Sequence, residues 1–208
     1  MAAVLKLGPS QGIELIRNRE LLTSPTMPAI DRYTGVVYDA LDAATLSATG
    51  RAFALSQLAI HSALFGLVLG GDAIPAYRLS HNSRLPELPL KAAWAVPVTA
   101  VLAARDELIL DFRSNGYVAL GPVPASANTF YLRVVAEGKD GRARALNHFN
   151  KSAKGQLARQ LCESAQNHDT VQSLLEWAKG AGVSLSRTSA QELELVVSSA
   201  QPSELIAC

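Results

Sequence analysis

The chain has 208 residues, 49% of them hydrophobic and 18% charged, with a formal net charge of +1. That length and composition suit one domain with a real core and exclude a disordered chain. The near-zero charge excludes a protein that coats nucleic acid through overall basicity, so affinity for anions has to come from locally clustered cations.

Along the chain, residues 9–20 (PSQGIELIRNRE) predict a short helix, with Pro9 in its first turn and Ile13, Leu15 and Ile16 on one side. Pro25 and Pro28 then interrupt regular structure. Residues 43–56 predict a helix capped at Ser47 or Thr49. The apolar run LAIHSALFGLV is compatible with a strand or a buried helix, and periodicity does not decide between them. The alanine-rich stretch 88–104 reads as a helix that Pro97 kinks or begins, and ELILDF at 107–112 reads as a central strand. TFYLRVVAE (129–137) and RARALNHF (142–149) flank GKDG as a β-hairpin. Helices are expected over 151–165 and 169–181, the second with Asp169 as N-cap and Gly182 at its stop. Two strands, VSLSR and LELVVSS, come last, and 201–208 reads as a flexible tail.

The expected class is α+β (mixed α/β): a single domain over 1–208, with an N-terminal helical element in 1–30 and a mixed central β-sheet flanked by helices. The first residues lack the long apolar run of a secretory leader. The apolar stretch 52–71 is interrupted by Ser56, Gln57, His61 and Ser62, which marks it as core and not a membrane span. Cys162 and Cys208 form no CxxC or Cys/His spacing. No zinc site, disulfide framework or cofactor is expected, and the cytoplasm is the expected location.

Three segments concentrate chemistry. In NHFNKSAKGQLAR (147–159) a strand passes into a helix carrying Lys151, Lys154 and Arg159. With Leu157 and Leu161 defining the apolar face, Lys154 falls on or beside that face, where a lysine either snorkels or enters a polar cleft. In IPAYRL, Tyr77 sets an aromatic ring beside the planar fork of Arg78, which suits a phosphate or carboxylate as well as a surface ion pair. In LDFRSNGY, Asp111 and Arg113 share a strand face before Ser114 and Tyr117; they can line a site or satisfy each other. His61, His81, His148 and His168 show no ligand spacing and read as structural.

Taken in order, YTGVVYDALDA (33–43), SALFG…PAYRL (62–79), the helix with Trp94, LDFRSNGY (110–117) and NHFNKSAKG…R (147–159) resemble the YaaA family of peroxide-stress proteins over roughly residues 5–200. The resemblance implies a cytoplasmic protein that protects against hydrogen peroxide by limiting free iron. It also implies a mixed α/β fold with a deep basic cleft, a helix-hairpin-helix-like element near residues 7–22 and binding to DNA. Carried over position by position, Tyr38, Tyr77, Arg78, Ser114, Tyr117, Lys151, Lys154 and Arg159 are the implied cleft residues. Three departures stand out. The family's opening strand and lysine-containing loop are not matched, Leu69-Gly70 stands where relatives carry Arg-Pro, and Ala95 follows Trp94 where a base is common. The cleft is therefore expected to be less basic than the family's.

Two functions follow. In the first, Lys151, Lys154, Arg159 and Arg78 contact nucleic-acid phosphates while Tyr77 and Tyr38 stack on bases. In the second, the chain is an enzyme for a small anionic or nucleobase-containing substrate. Lys154 or Asp111, with Tyr38, would then move protons, and Arg78, Lys151 and Arg113 would anchor the substrate. Handling of iron or haem ranks last, because no ligands cluster.

Overall fold

Residues 5, 8, 11–124, 128–137, 143–144 and 147–198 are described in a computed structural model, and they form a mixed α/β fold. Helix α1 (Gly12–Arg19) forms where the apolar pattern predicts, yet buries none of its residues. It leads into strand β1 (Thr26–Pro28), and the helix-hairpin-helix-like element implied near residues 7–22 lies partly outside the described residues. Two short helices follow, α2 (Ala29–Arg32) and α3 (Val36–Leu41). The helix expected from residue 43 begins later, as α4 (Ala48–Gln57), because 43–45 form a separate 3-10 turn. Ser47 is the cap: its Oγ accepts the Gly50 N–H at 3.0 Å.

The undecided apolar run is a hairpin, β2 (Ala59–Ser62) against β3 (Gly66–Leu69). Gly66 makes its turn at φ +74, and a Cβ there would lie 2.7 Å from the Trp94 ring, so the position needs glycine twice over. Strand β4 (Ala73–Pro75) pairs with β1. Helix α5 (Leu90–Ala103) carries the exposed Pro97 inside it. The remaining elements are β5 (Ile109–Asp111), α6 (Asn115–Val118), β6 (Thr129–Glu137), β7 (Ala143–Arg144), α7 (Asn147–Ser164), α8 (Val171–Gly180), β8 (Leu185–Arg187) and β9 (Glu192–Ser198).

The main sheet runs β5-β6-β9-β8, with β7 on β6. β5–β6 and β6–β9 are parallel; β8–β9 and β6–β7 are antiparallel, so the sheet is mixed. Strand β5 was expected to be central, but it lies at one end of that path and pairs along three residues only. The longer β6 takes the interior place because it can pair along its length with β9. Strands β6 and β7 pair antiparallel as expected, with Glu137 opposite Ala143, GKDG between them lying outside the described residues; the second strand is shorter than expected, because the chain is already helical at Asn147. Thr170, not Asp169, caps α8; its Oγ1 accepts the Ser173 N–H at 3.2 Å.

Helix α7 organises the interior because two of its faces are buried. Ala153 and Leu157 pack on Phe130, Leu132 and Val134 of β6 and on Leu193 and Leu195 of β9. Such burial stabilises by roughly 1.5–3 kcal/mol per large apolar side chain. The adjacent face carries Cys162, which packs with Ile30, Leu41 and Ala54 from α2, α3 and α4. Among the described residues no helix is long and apolar enough to cross a membrane, and no cluster of His, Cys, Asp and Glu could hold a metal.

Candidate functional site

Lys154 follows Ala153 on α7, so the turn that docks the helix on the sheet also carries the lysine inward. It is only 5% exposed. Its Nζ donates to the Phe112 carbonyl at 3.1 Å and stands 4.9 Å from the centre of the Tyr131 ring. Burial pulls its ammonium down to about 8, and the negative charge of Asp111 partly opposes that pull. An amine in this range exchanges protons near physiological pH.

Asp111 ends β5 and is buried. Arg113 grips it with both ends of its fork, Nε to Oδ1 at 2.9 Å and Nη2 to Oδ2 at 2.7 Å. The remaining Arg113 nitrogen donates to the Gly121 carbonyl at 3.0 Å and meets His61 Nδ1 at 3.1 Å. A guanidinium only donates, so His61 Nδ1 accepts and the ring proton sits on Nε2. Burial, then Arg113, pulls this imidazole down to about 4, which keeps it neutral. Its Nε2–H is buried with no hydrogen-bond partner. Asp111→Ala would leave the Arg113 charge buried and unpaired. Urea unfolding should then show a loss of about 3–5 kcal/mol, and Asp111→Asn, which still accepts, should lose less.

Four tyrosines converge beside this group. Tyr33 stacks on Tyr38 of α3 with ring centres 5.4 Å apart. The Tyr33 and Tyr77 hydroxyls are 2.6 Å apart, and Tyr77 is also 2.6 Å from Ser62 Oγ. Tyr117 of α6 lies between the rings of His61, at 5.4 Å, and His81, at 5.0 Å. Burial raises the hydroxyls of Tyr38, Tyr77 and Tyr117 above the ordinary phenol range, and in each case the Tyr33 oxygen adds to the rise. All three therefore stay protonated, and the four phenol oxygens share one neighbourhood.

The structure thus groups Lys154, Asp111 and Arg113 on one side and Tyr38, Tyr77 and Tyr117 on the other, joined through His61. Arg78 is exposed but close enough to Tyr117 for its charge to act on that hydroxyl. Lys151 and Ser114 are exposed. Arg159 was expected on a ligand, but its Nη1 donates to the carbonyls of Leu41 at 3.0 Å and Asp42 at 2.8 Å, and its Nη2 to Thr45 at 3.2 Å. It closes the C-terminal end of α3, where helix carbonyls lack partners. The His148 side chain lies outside the described residues. Ser62, Tyr33 and His61 were missed as site members. Ser62 and Tyr33 lie inside quoted motifs, but an isolated serine or tyrosine has no local signature. Gly70, where the family resemblance implied proline, donates its N–H to the Leu58 carbonyl at 2.7 Å, a bond proline cannot make.

The family model for the peroxide stress protein YaaA matches residues 1–183. A UPF0246 protein of Corynebacterium efficiens is 44% identical over 177 residues, covering 83% of this chain and 69% of its own length. A UPF0246 protein of Corynebacterium glutamicum is 43% identical over 188 residues, 87% of this chain and 74% of that protein. One from Streptomyces coelicolor is 39% identical over 185 residues, 85% of this chain and 69% of that protein. Matched over most of its length, the chain belongs to the YaaA family of peroxide-stress proteins.

Proposed function

We propose that this member of the peroxide-stress family binds a small planar anion at the tyrosine cluster and that Lys154 exchanges a proton with it. The observation that carries this reading is a buried lysine, pulled down to about 8 in the field of a buried carboxylate whose partner Arg113 meets His61, which in turn lies against Tyr117. Burial and perturbed titration together are the mark of a group with a chemical task. Asp111 would hold the lysine's field, Arg78 would take the anionic group, and the tyrosine rings would face the planar body.

Contact with nucleic-acid phosphates is the competing reading, and most of the cations it was expected to use are engaged elsewhere. Arg113, Lys154 and Arg159 are engaged within the chain. Arg78 and Lys151 are the expected cations that remain exposed. Two phosphate contacts would give only a shallow salt dependence.

Titration calorimetry with orotate, a nucleobase carboxylate, and with a short DNA duplex separates the two. Orotate should bind the wild type, and Arg78→Ala should weaken it about tenfold or more, as for a lost charge-assisted pair. Tight, steeply salt-dependent duplex binding with no orotate binding would overturn the proposal.

A further inference from the structure

The backbone of Arg78 is held by a side chain 60 positions away. Asn18, in the last turn of α1, accepts the Arg78 N–H on Oδ1 at 2.7 Å and donates Nδ2–H to the Arg78 carbonyl at 2.9 Å. The Arg78 N–H can donate and its carbonyl can accept, so the pair itself fixes which way the amide points. One planar amide meets both backbone polar groups of one residue, as a paired strand does. The preceding residue is held from its other end, because the Tyr77 hydroxyl lies 2.6 Å from both the Tyr33 hydroxyl and Ser62 Oγ. Tyr77-Arg78 is thus pinned at a side chain and at a backbone, while the Arg78 side chain stays exposed. The same two bonds place α1. That helix has eight residues and buries none of them, and Ile13 and Ile16 on it are exposed. A helix so short, with so little packing, is marginal by itself. Beyond it the chain turns, with the Thr23 and Ser24 N–H groups both donating to the Glu20 carbonyl at 2.9 and 2.8 Å. It is fixed again at Pro25, whose carbonyl accepts from Arg32 Nη2 at 3.2 Å. Asn18 is therefore the tie on the far side of that turn.

We propose that Asn18 is a positioning residue for Arg78, so that anion binding at Arg78 and the docking of α1 stabilise each other. This rests on the small-anion reading above and adds the element that controls its anchor. With the backbone of Arg78 held, the side chain gives up less freedom when its guanidinium pairs, and the anion binds more tightly. Linkage then runs both ways: a bound anion keeps α1 docked by the same factor by which docked α1 favours the anion. Asn18 itself does not touch the ligand; it acts through the Arg78 backbone.

The experiment combines orotate calorimetry, urea unfolding and amide hydrogen exchange on the full chain. Asn18→Leu keeps the side-chain size and makes neither bond; Asn18→Ala removes both size and bonds. Each should weaken orotate roughly tenfold, the scale of ordinary hydrogen bonds lost. The urea midpoint should stay where it is, because α1 buries none of its residues. A merely structural asparagine would not give that split. In the wild type, orotate should slow exchange of the α1 amides, a readout that needs no variant to fold; in both variants orotate should leave that exchange unchanged. Equal orotate affinity in wild type and both variants, with Arg78→Ala still weak, would overturn the role of Asn18 and leave the small-anion reading standing. Orotate that binds the wild type without slowing α1 exchange would overturn the coupling. A urea midpoint that falls together with the affinity would make Asn18 a structural residue and overturn the positioning role. If the wild type binds no orotate, the small-anion reading fails and this inference fails with it.

Discussion

Replacing Lys154 by methionine is expected to stabilise the protein near neutral pH by about 2 kcal/mol while removing its ligand-linked proton exchange. The lysine's displacement from 10.5 to about 8 corresponds, at about 1.4 kcal/mol per pH unit, to about 3 kcal/mol spent on keeping a buried ammonium charged. Loss of the bond to the Phe112 carbonyl returns about 1 kcal/mol. Methionine keeps an unbranched side chain of similar length, and Asp111 retains Arg113 as its partner, so no new unpaired charge is created. The pH dependence follows from the direction of the shift. Between about pH 8 and 10.5 the unfolded chain holds a proton on Lys154 that the folded chain has released. Wild-type stability therefore rises with pH through that window, and the penalty is fully present below it. The variant should lack this rise. Urea unfolding at neutral pH and across the window measures both effects. A variant no more stable than wild type, or a wild type with flat stability over the window, would contradict the account.

Gly155→Ala should have the opposite sign and a larger effect. In an isolated helix alanine is favoured over glycine by about 1 kcal/mol. Here a Cβ would stand 2.2 Å from the Val37 carbonyl oxygen, 2.7 Å from Ala40 Cβ and 3.1 Å from the Leu41 nitrogen. Two of these atoms are backbone, so no side chain can swing away. Helix α3 would have to retreat from α7, at about 3 kcal/mol for overpacking of this kind. Tyr38 rides on α3, so the retreat would also pull its ring from Tyr33. Denaturant unfolding should show the loss, and near-ultraviolet circular dichroism should show the tyrosines rearranged. Unchanged or increased stability would mean that α3 and α7 are not in the contact described.

The tyrosine cluster draws on segments far apart in sequence: Tyr33, Ser62 and Tyr77 are joined by hydroxyl contacts across 44 and 15 residues of chain, and Tyr117 reaches them beside His61. Gly155 lets α3, which carries Tyr38, approach α7, which carries Lys154.

What the sequence determined by itself was local and periodic. The apolar spacing of Leu157 and Leu161 put Lys154 at the edge of a buried face, and it is buried there. Two strand-like runs flanking GKDG specified a hairpin, because turn chemistry is written into adjacent residues, and β6 pairs antiparallel with β7. Gly182 after α8 takes the positive φ that a helix stop requires. The ordered motifs carried the family, since several together are specific where each alone is not. Tertiary structure alone decided which strand is interior, because pairing depends on partners distant in the chain, and β6 outcompetes the shorter β5. It alone decided which cations are available: Arg113 and Arg159 look like anion ligands in sequence, yet one closes on Asp111 and the other on the carbonyls ending α3. It also brought Ser62 onto Tyr77 and His61 onto Arg113, contacts between residues 15 and 52 apart in the chain that no local pattern encodes.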